Sequence, residues 1–195
     1  MRTTILIALA AAALAVAAAT GTAAGPGHSH AKQASPLAKE LARARVATAP
    51  FATSLEKAKA AGYTLQITPN MPGMGFHFLN PKITAFDAAK PPVLVYVKRG
   101  NAYQLAAFEW VWPEKPARAP LPGATYGSFA AACHYASGEF VPAAAEADCA
   151  STHRGAAFTF WHPDLVTMHV WLWYPNPDGI FAATNPLVTP FTPAA

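Results

Sequence analysis

The chain has 195 residues, of which 53% are hydrophobic and only 12% are charged, and its formal net charge is +4 at pH 7. This length and hydrophobic content suit one ordinary domain with a real core. Lys and Arg residues are sparse outside residues 32–59, which argues against nucleic acid as a partner.

The first 24 residues have the pattern of a secretory signal peptide. Arg2 precedes an uncharged apolar run from Ile5 to Ala19, and small residues follow up to Ala24. The run is too short to span a bilayer comfortably, and no second long apolar run occurs. We therefore predict cleavage near Ala24, a secreted or periplasmic location, and no stable membrane insertion afterwards.

Residues 25–34 are predicted to be a flexible leader, and a helical segment follows it. Ser35 is a suitable helix N-cap, and Pro36 suits the first turn. Pro50 should kink or break the helix, and Gly62 is well placed to end it. The segment is therefore one kinked helix or two short ones, expected to cover a sheet.

From Tyr63 onward the pattern becomes that of strands. Alternating or continuous runs of apolar residues predict strands at 63–67, 76–79, 93–97, 103–112, 158–161 and 166–174. Gly100 and Asn101 suit a hairpin between the third and fourth of these. The fourth is apolar on both faces, which predicts a central position.

Cys133 and Cys149 are the only cysteines, and they lie in a low-pattern region, 123–154, that we expect to be an excursion from the sheet. In an oxidising compartment such a pair forms a disulfide. A disulfide that closes a loop of this length would stabilise the fold by roughly 3 kcal/mol. A metal site at Cys133 and His134 lacks the usual paired spacing.

Three polar residues interrupt apolar strand faces: His77, Glu109 and His169. A buried carboxylate is costly unless it is paired or bound to a metal. Two histidines and a carboxylate can bind a divalent transition metal such as zinc or copper, and His162 or His134 could complete the shell. If their strands are neighbours, these residues converge on a metal site.

A structural pair is the competing interpretation, because a buried Glu hydrogen-bonded to a His needs no metal. Acid–base catalysis by Glu109 with His77 or His169 is also physically possible. No nucleophile stands out, since the serines lie in low-pattern loops without an elbow motif. Whether the protein is an enzyme therefore stays open, as does a domain without any site.

Tryptophans support a different function. Trp171 and Trp173, at strand spacing, could form a platform for sugar rings or another apolar ligand. Aromatic residues at this spacing more often belong to a core. A small molecule is therefore an alternative partner to a metal ion.

Several short motifs resemble those of a family of exported bacterial proteins of unknown function. They are Met74-Gly-Phe-His-Phe78 with Asn80-Pro81, Glu109-Trp-Val-Trp-Pro113, and His169-Val-Trp-Leu-Trp173 with Asn176-Pro177, Gly179, Phe181 and Asn185-Pro186. The resemblance covers most of the mature chain and includes His77. It implies export but no particular activity.

We predict an α+β fold in which the N-terminal helical segment packs on an antiparallel sheet that can curl into a half-barrel. A cupin-like barrel is the alternative if the three polar residues hold a metal. Residues 35–188 are expected to form a single globular domain, followed by a tail at 189–195.

Overall fold

The computed structural model describes residues 34–191. The predicted signal peptide, nearly all of the predicted leader and the end of the predicted tail lie outside these residues. No helix in the described part of the chain is long and apolar enough to cross a membrane.

Two helices open the described chain, α1 (Pro36–Thr48) and α2 (Leu55–Ala60), with a 3₁₀ turn at Ala49–Phe51 between them. Ser35 caps α1 as predicted, since its hydroxyl accepts a hydrogen bond from the Ala38 N–H at 3.2 Å. Pro50 lies in the 3₁₀ turn, where the α-helical pattern stops. The cap of α2 is Ser54, whose hydroxyl accepts from the Lys57 N–H.

The larger of two antiparallel sheets has six strands in the order β1-β2-β3-β4-β10-β5. Their bounds are β1 (Leu65–Gln66), β2 (Phe76–Leu79), β3 (Val93–Arg99), β4 (Ala102–Trp112), β5 (Gly127–Phe129) and β10 (Leu165–Val170). The strand predicted at 103–112 is β4, and it lies inside the sheet between β3 and β10. The predicted central position is therefore confirmed.

The smaller sheet has the order β7-β6-β9-β8. Its strands are β6 (Ala132–Tyr135), β7 (Phe140–Pro142), β8 (Thr152–His153) and β9 (Ala156–His162). This sheet occupies most of the region that we expected to be an irregular excursion. Its first three strands have at most four residues each, too few to show a period in the sequence. A disulfide joins Cys133 to Cys149, as predicted.

The large sheet has different partners on its two faces. On one face, Ala44, Leu55 and Ala58 of the helices share a buried cluster with Leu94 and Phe108 of the sheet, which we call the helix-side cluster. The opposite face contributes to a cavity that the small sheet also lines. The α+β class is therefore confirmed. Within residues 34–191 the large sheet ends at β1 and β5 without closing, so the predicted barrel character is not confirmed.

A β-bulge in β4 changes the alternation of its side chains. Val95 of β3 pairs with Ala107 and Tyr96 pairs with Leu105, so Ala106 is the extra residue. Leu105 consequently joins the helix-side cluster with Phe108. Strict alternation predicts Leu105 on the face of Glu109, and that prediction is wrong because a bulge reverses the facing of every residue beyond it.

The predicted last strand ends earlier than expected, at Val170. The Trp171 N–H donates to the Ile180 carbonyl at 2.8 Å, so the chain pairs there with a loop. The N–H groups of Trp173 and Tyr174 both donate to the Ala106 carbonyl at 3.1 Å. The carbonyl of the bulged residue, Ala106, thus accepts the hydrogen bonds of this segment, which no longer pairs as a strand with β4.

Candidate metal site

His77 reaches the cavity face because of its neighbours in β2. Phe76 and Phe78 pack into the helix-side cluster, and the alternation of a strand then places His77 on the opposite face. Gly75, which precedes the strand, has φ +113°, and a Cβ there would lie 2.2 Å from the Tyr96 carbonyl oxygen. Only glycine allows β2 to start this close to β3.

Glu109 and His169 are direct cross-strand partners in the β4–β10 pair. Directly opposed residues of an antiparallel pair have Cβ atoms about 5 Å apart on the same face. Their side chains therefore extend in parallel into the cavity. On β3, between β2 and β4, Val93 is the partner of Glu109 and Val95 is the partner of His77.

The three side chains meet at their tips. His77 Nε2 is 3.7 Å from Glu109 Oε2, and His169 Nε2 is 3.6 Å from Glu109 Oε1. The two Nε2 atoms are 3.4 Å apart. One donor atom from each residue lies within 4.8 Å of the others. Ligands of one zinc ion, each about 2 Å from it, are roughly 3–4 Å from each other.

These distances also bear on the structural-pair interpretation. A charge-assisted N–H···O hydrogen bond closes to about 2.7–2.9 Å, and both imidazole–carboxylate distances are longer than that by most of an ångström. The carboxylate therefore pairs closely with neither histidine. The two Nε2 atoms are within hydrogen-bond distance of each other, and the three groups together could hold a metal ion.

Thr68 fixes the ring of His77. Its hydroxyl oxygen lies 2.8 Å from His77 Nδ1 and accepts a hydrogen bond from the His77 backbone N–H at 3.2 Å. Contacts of this kind orient histidines that ligate a metal, and here the contact leaves Nε2 of His77 free to face Glu109 and His169. Thr68 directly follows the strand predicted at 63–67, and no pattern in the sequence distinguishes its hydroxyl from that of any other loop residue.

Burial shifts the ionisation of all three groups toward their uncharged forms. It raises the pKa of Glu109 to about 8 and lowers the pKa of His169 to about 4. Burial and then the nearby His169 lower the pKa of His77 to about 3. Near neutral pH these shifts favour the uncharged form of each group, whereas a bound cation would favour the ionised carboxylate.

His162, also predicted as a ligand, lies on the other wall of the cavity. It ends β9 in the small sheet, and its Nδ1–H donates to the Pro163 carbonyl at 2.6 Å. It lines the same cavity as the three residues of the large sheet but is not one of the converging donors. His134, on the adjacent strand β6, lies beside it with ring centroids 5.0 Å apart.

The two tryptophans of the predicted platform do not share a surface. Trp171 is 3% exposed, and its indole N–H donates to the Ala182 carbonyl. Trp173 packs against the helix-side cluster and donates to the Thr48 hydroxyl at 3.0 Å. The Arg45 guanidinium covers its ring at 4.8 Å. Each indole is therefore engaged with the protein itself.

The chain matches no protein-family model, and comparison with curated proteins and with solved structures also finds no match. The resemblance to exported bacterial proteins thus stays a prediction from short motifs. The geometry of the cavity carries the functional argument alone.

Proposed function

We propose that this protein binds a divalent transition metal ion through His77, Glu109 and His169. The observation that carries the proposal is the convergence of three buried donor groups from β2, β4 and β10 on one point. Two imidazoles and one carboxylate form a recognised ligand set for zinc and for other first-row ions. Zinc and copper are the ions we expect.

The ligand count leaves part of the coordination shell to a non-protein group. Three protein ligands are typical of sites in which a bound molecule or water takes the remaining position. The three residues line a cavity of about 200 Å³, so that position faces space in which a small molecule fits. We therefore propose a ligand-accepting metal site and leave its reaction open.

Export is part of the same proposal. The predicted signal peptide at residues 1–24 directs the chain out of the cytoplasm, and the Cys133–Cys149 disulfide suits an oxidising compartment. Outside the cytoplasm the protein would meet its ion as the free or weakly chelated species. A cavity lined by neutral imidazoles can take up such an ion directly.

Metal analysis of the purified mature protein tests the proposal. After loading with zinc or copper and exhaustive dialysis, we expect about one ion per chain in the wild type and less than about a tenth of that in His169→Ala and in Glu109→Gln. The Glu109→Gln variant keeps the size and neutral charge of the buried side chain, so its fold should be intact.

His153→Ala is the matched control, because His153 lies on β8, away from the cluster, beside Glu139 at 3.7 Å. It should keep the full metal content. Equal metal content in the wild type, His169→Ala and Glu109→Gln would leave only the structural interpretation of the cluster.

A further inference from the structure

A second polar group lines the cavity on the wall opposite the proposed metal ligands. His134 and His162 belong to the small sheet and are 1% and 9% exposed. Within residues 34–191, Nε2 of His162 has no hydrogen-bond partner, and the ring nitrogens of His134 make no hydrogen bond of good geometry, their nearest polar neighbour being the backbone of Ile67. Buried polar atoms without a well-placed partner are rare and costly, so these three need an explanation.

The hydrogen-bonding capacity of each ring can be assigned. A carbonyl can only accept, so the 2.6 Å contact with Pro163 places the proton of His162 on Nδ1. In neutral His162, Nε2 then offers a lone pair to the cavity. Burial, followed by the effect of His162, lowers the pKa of His134 to about 4, although a weak backbone hydrogen bond with Ile67 opposes this. Neutral His134 therefore offers one N–H and one lone pair.

The surroundings of the two rings are apolar and aromatic. Phe160 stacks on His134 with centroids 4.5 Å apart and planes 8° apart, and Phe129 lies 4.9 Å from His162. Ile67, Met71, Leu79 and Leu165 complete this part of the lining. Such walls disfavour a charged ligand and favour a flat apolar one that both donates and accepts a hydrogen bond.

We propose that His134 and His162 bind the hydroxyl group of a small, uncharged aromatic alcohol or phenol held in this cavity. The hydroxyl donates to Nε2 of His162 and accepts from the N–H of His134. A dry cavity of about 150 Å³ is known to hold benzene, so the 200 Å³ available here suits a single substituted ring. The inference deepens the proposed function, because the open coordination position of a bound metal would face the same molecule. The two histidines that bind the hydroxyl belong to the small sheet, however, and not to the proposed ligand set.

Phenol and toluene test the proposal on the full mature chain. They have equal numbers of non-hydrogen atoms and differ only in a hydroxyl in place of a methyl group. By NMR titration of the protein treated with a chelator, we expect phenol to bind about tenfold more tightly than toluene, since only phenol satisfies the two imidazoles. Equal affinities, tighter binding of toluene, or no binding of either would overturn the proposal.

His162→Asn sharpens the test. The Asn amide can keep the hydrogen bond to the Pro163 carbonyl in place of Nδ1–H, whereas nothing replaces Nε2. The preference for phenol should fall to within about twofold in this variant and persist in the control His153→Asn. The comparison of phenol with toluene uses the wild-type protein, so it tests the proposal even if His162→Asn fails to fold.

A metal ion between His134 and His162 is the competing occupant. If Glu109→Gln still binds zinc tightly and the added His162→Asn change abolishes that binding, the pair holds an ion and the phenol proposal is overturned. Absence of metal from the wild type, with the phenol preference intact, would instead refute only the proposed function. The two failures are therefore distinguishable.

Discussion

At the scale of single residues, Glu109 has the most unusual environment in the described chain. It is 7% exposed, its nearest ionisable partners are two imidazoles that burial keeps neutral, and its own pKa is raised to about 8. Without an ion, the folded protein holds a proton on this carboxyl that the unfolded chain releases above about pH 4.5. Proton linkage then connects its ionisation to stability.

This linkage predicts that the metal-free protein loses stability as the pH rises toward 8. A raised carboxyl pKa contributes stability that is complete below the unfolded value and lost as the pH approaches the folded value. Near pH 7 the buried histidines whose pKa is lowered, His77, His134 and His169, oppose part of this fall, because the unfolded chain still binds a fraction of a proton at each. The free energy of unfolding should therefore fall by up to about 1.4 kcal/mol per pH unit.

Urea unfolding in the presence of a chelator measures this slope, with tryptophan fluorescence as the signal. Glu109→Gln should show no fall in stability over the same interval, because its amide does not ionise. Parallel profiles for the two proteins would show that Glu109 is already ionised in the folded state.

The sequence predicted the candidate metal ligands better than it predicted the elements that carry them. Alternation within β2, β4 and β10 was enough to select His77, Glu109 and His169, since each interrupts an otherwise apolar face. The bulge at Ala106 has no signal in the local sequence, and the hydrogen bonds to its carbonyl come from residues more than sixty positions later. The wall formed by His134 and His162 depends on the packing of two sheets, which has no local pattern.

At the scale of elements, the start of β2 controls the position of His77. Gly75 and Gly179 have nearly the same backbone angle, φ +113° and +108°, but differ in the space that a side chain would find at each position. A Cβ at Gly75 meets the Tyr96 carbonyl oxygen at 2.2 Å, whereas a Cβ at Gly179 meets nothing within 4 Å. Alanine substitutions at these two positions therefore distinguish the cost of backbone strain from the cost of a steric clash.

We expect Gly179→Ala to lower the free energy of unfolding by about 1–3 kcal/mol through backbone strain alone. Gly75→Ala should cost a further 1–3 kcal/mol or so, because β2 must move away from β3. Since His77 is two residues further on, only Gly75→Ala should also weaken metal binding. Equal destabilisation in the two variants, measured by urea unfolding, would contradict the close approach of these strands.

At the scale of the whole molecule, the cavity is lined by two sheets. The chain passes between them at residues 130–131, between β5 and β6, and at Pro163 and Asp164, between β9 and β10. The proposed metal ligands all lie on the large sheet, while Cys133, His134 and His162 lie on the small one. Stability of the small sheet and metal binding should therefore be separable.

Replacing both Cys133 and Cys149 by Ala tests this division. Removing a cross-link between residues separated by 16 positions should lower the free energy of unfolding by about 3 kcal/mol, because the unfolded chain regains loop entropy. The metal content should stay at the wild-type level, since β2, β4 and β10 keep their register without the small sheet. Reduced wild-type protein should unfold at the same urea concentration as the double variant. A double variant that is folded but metal-free would show that the small sheet holds the three ligands in place, and that the cavity acts as one unit.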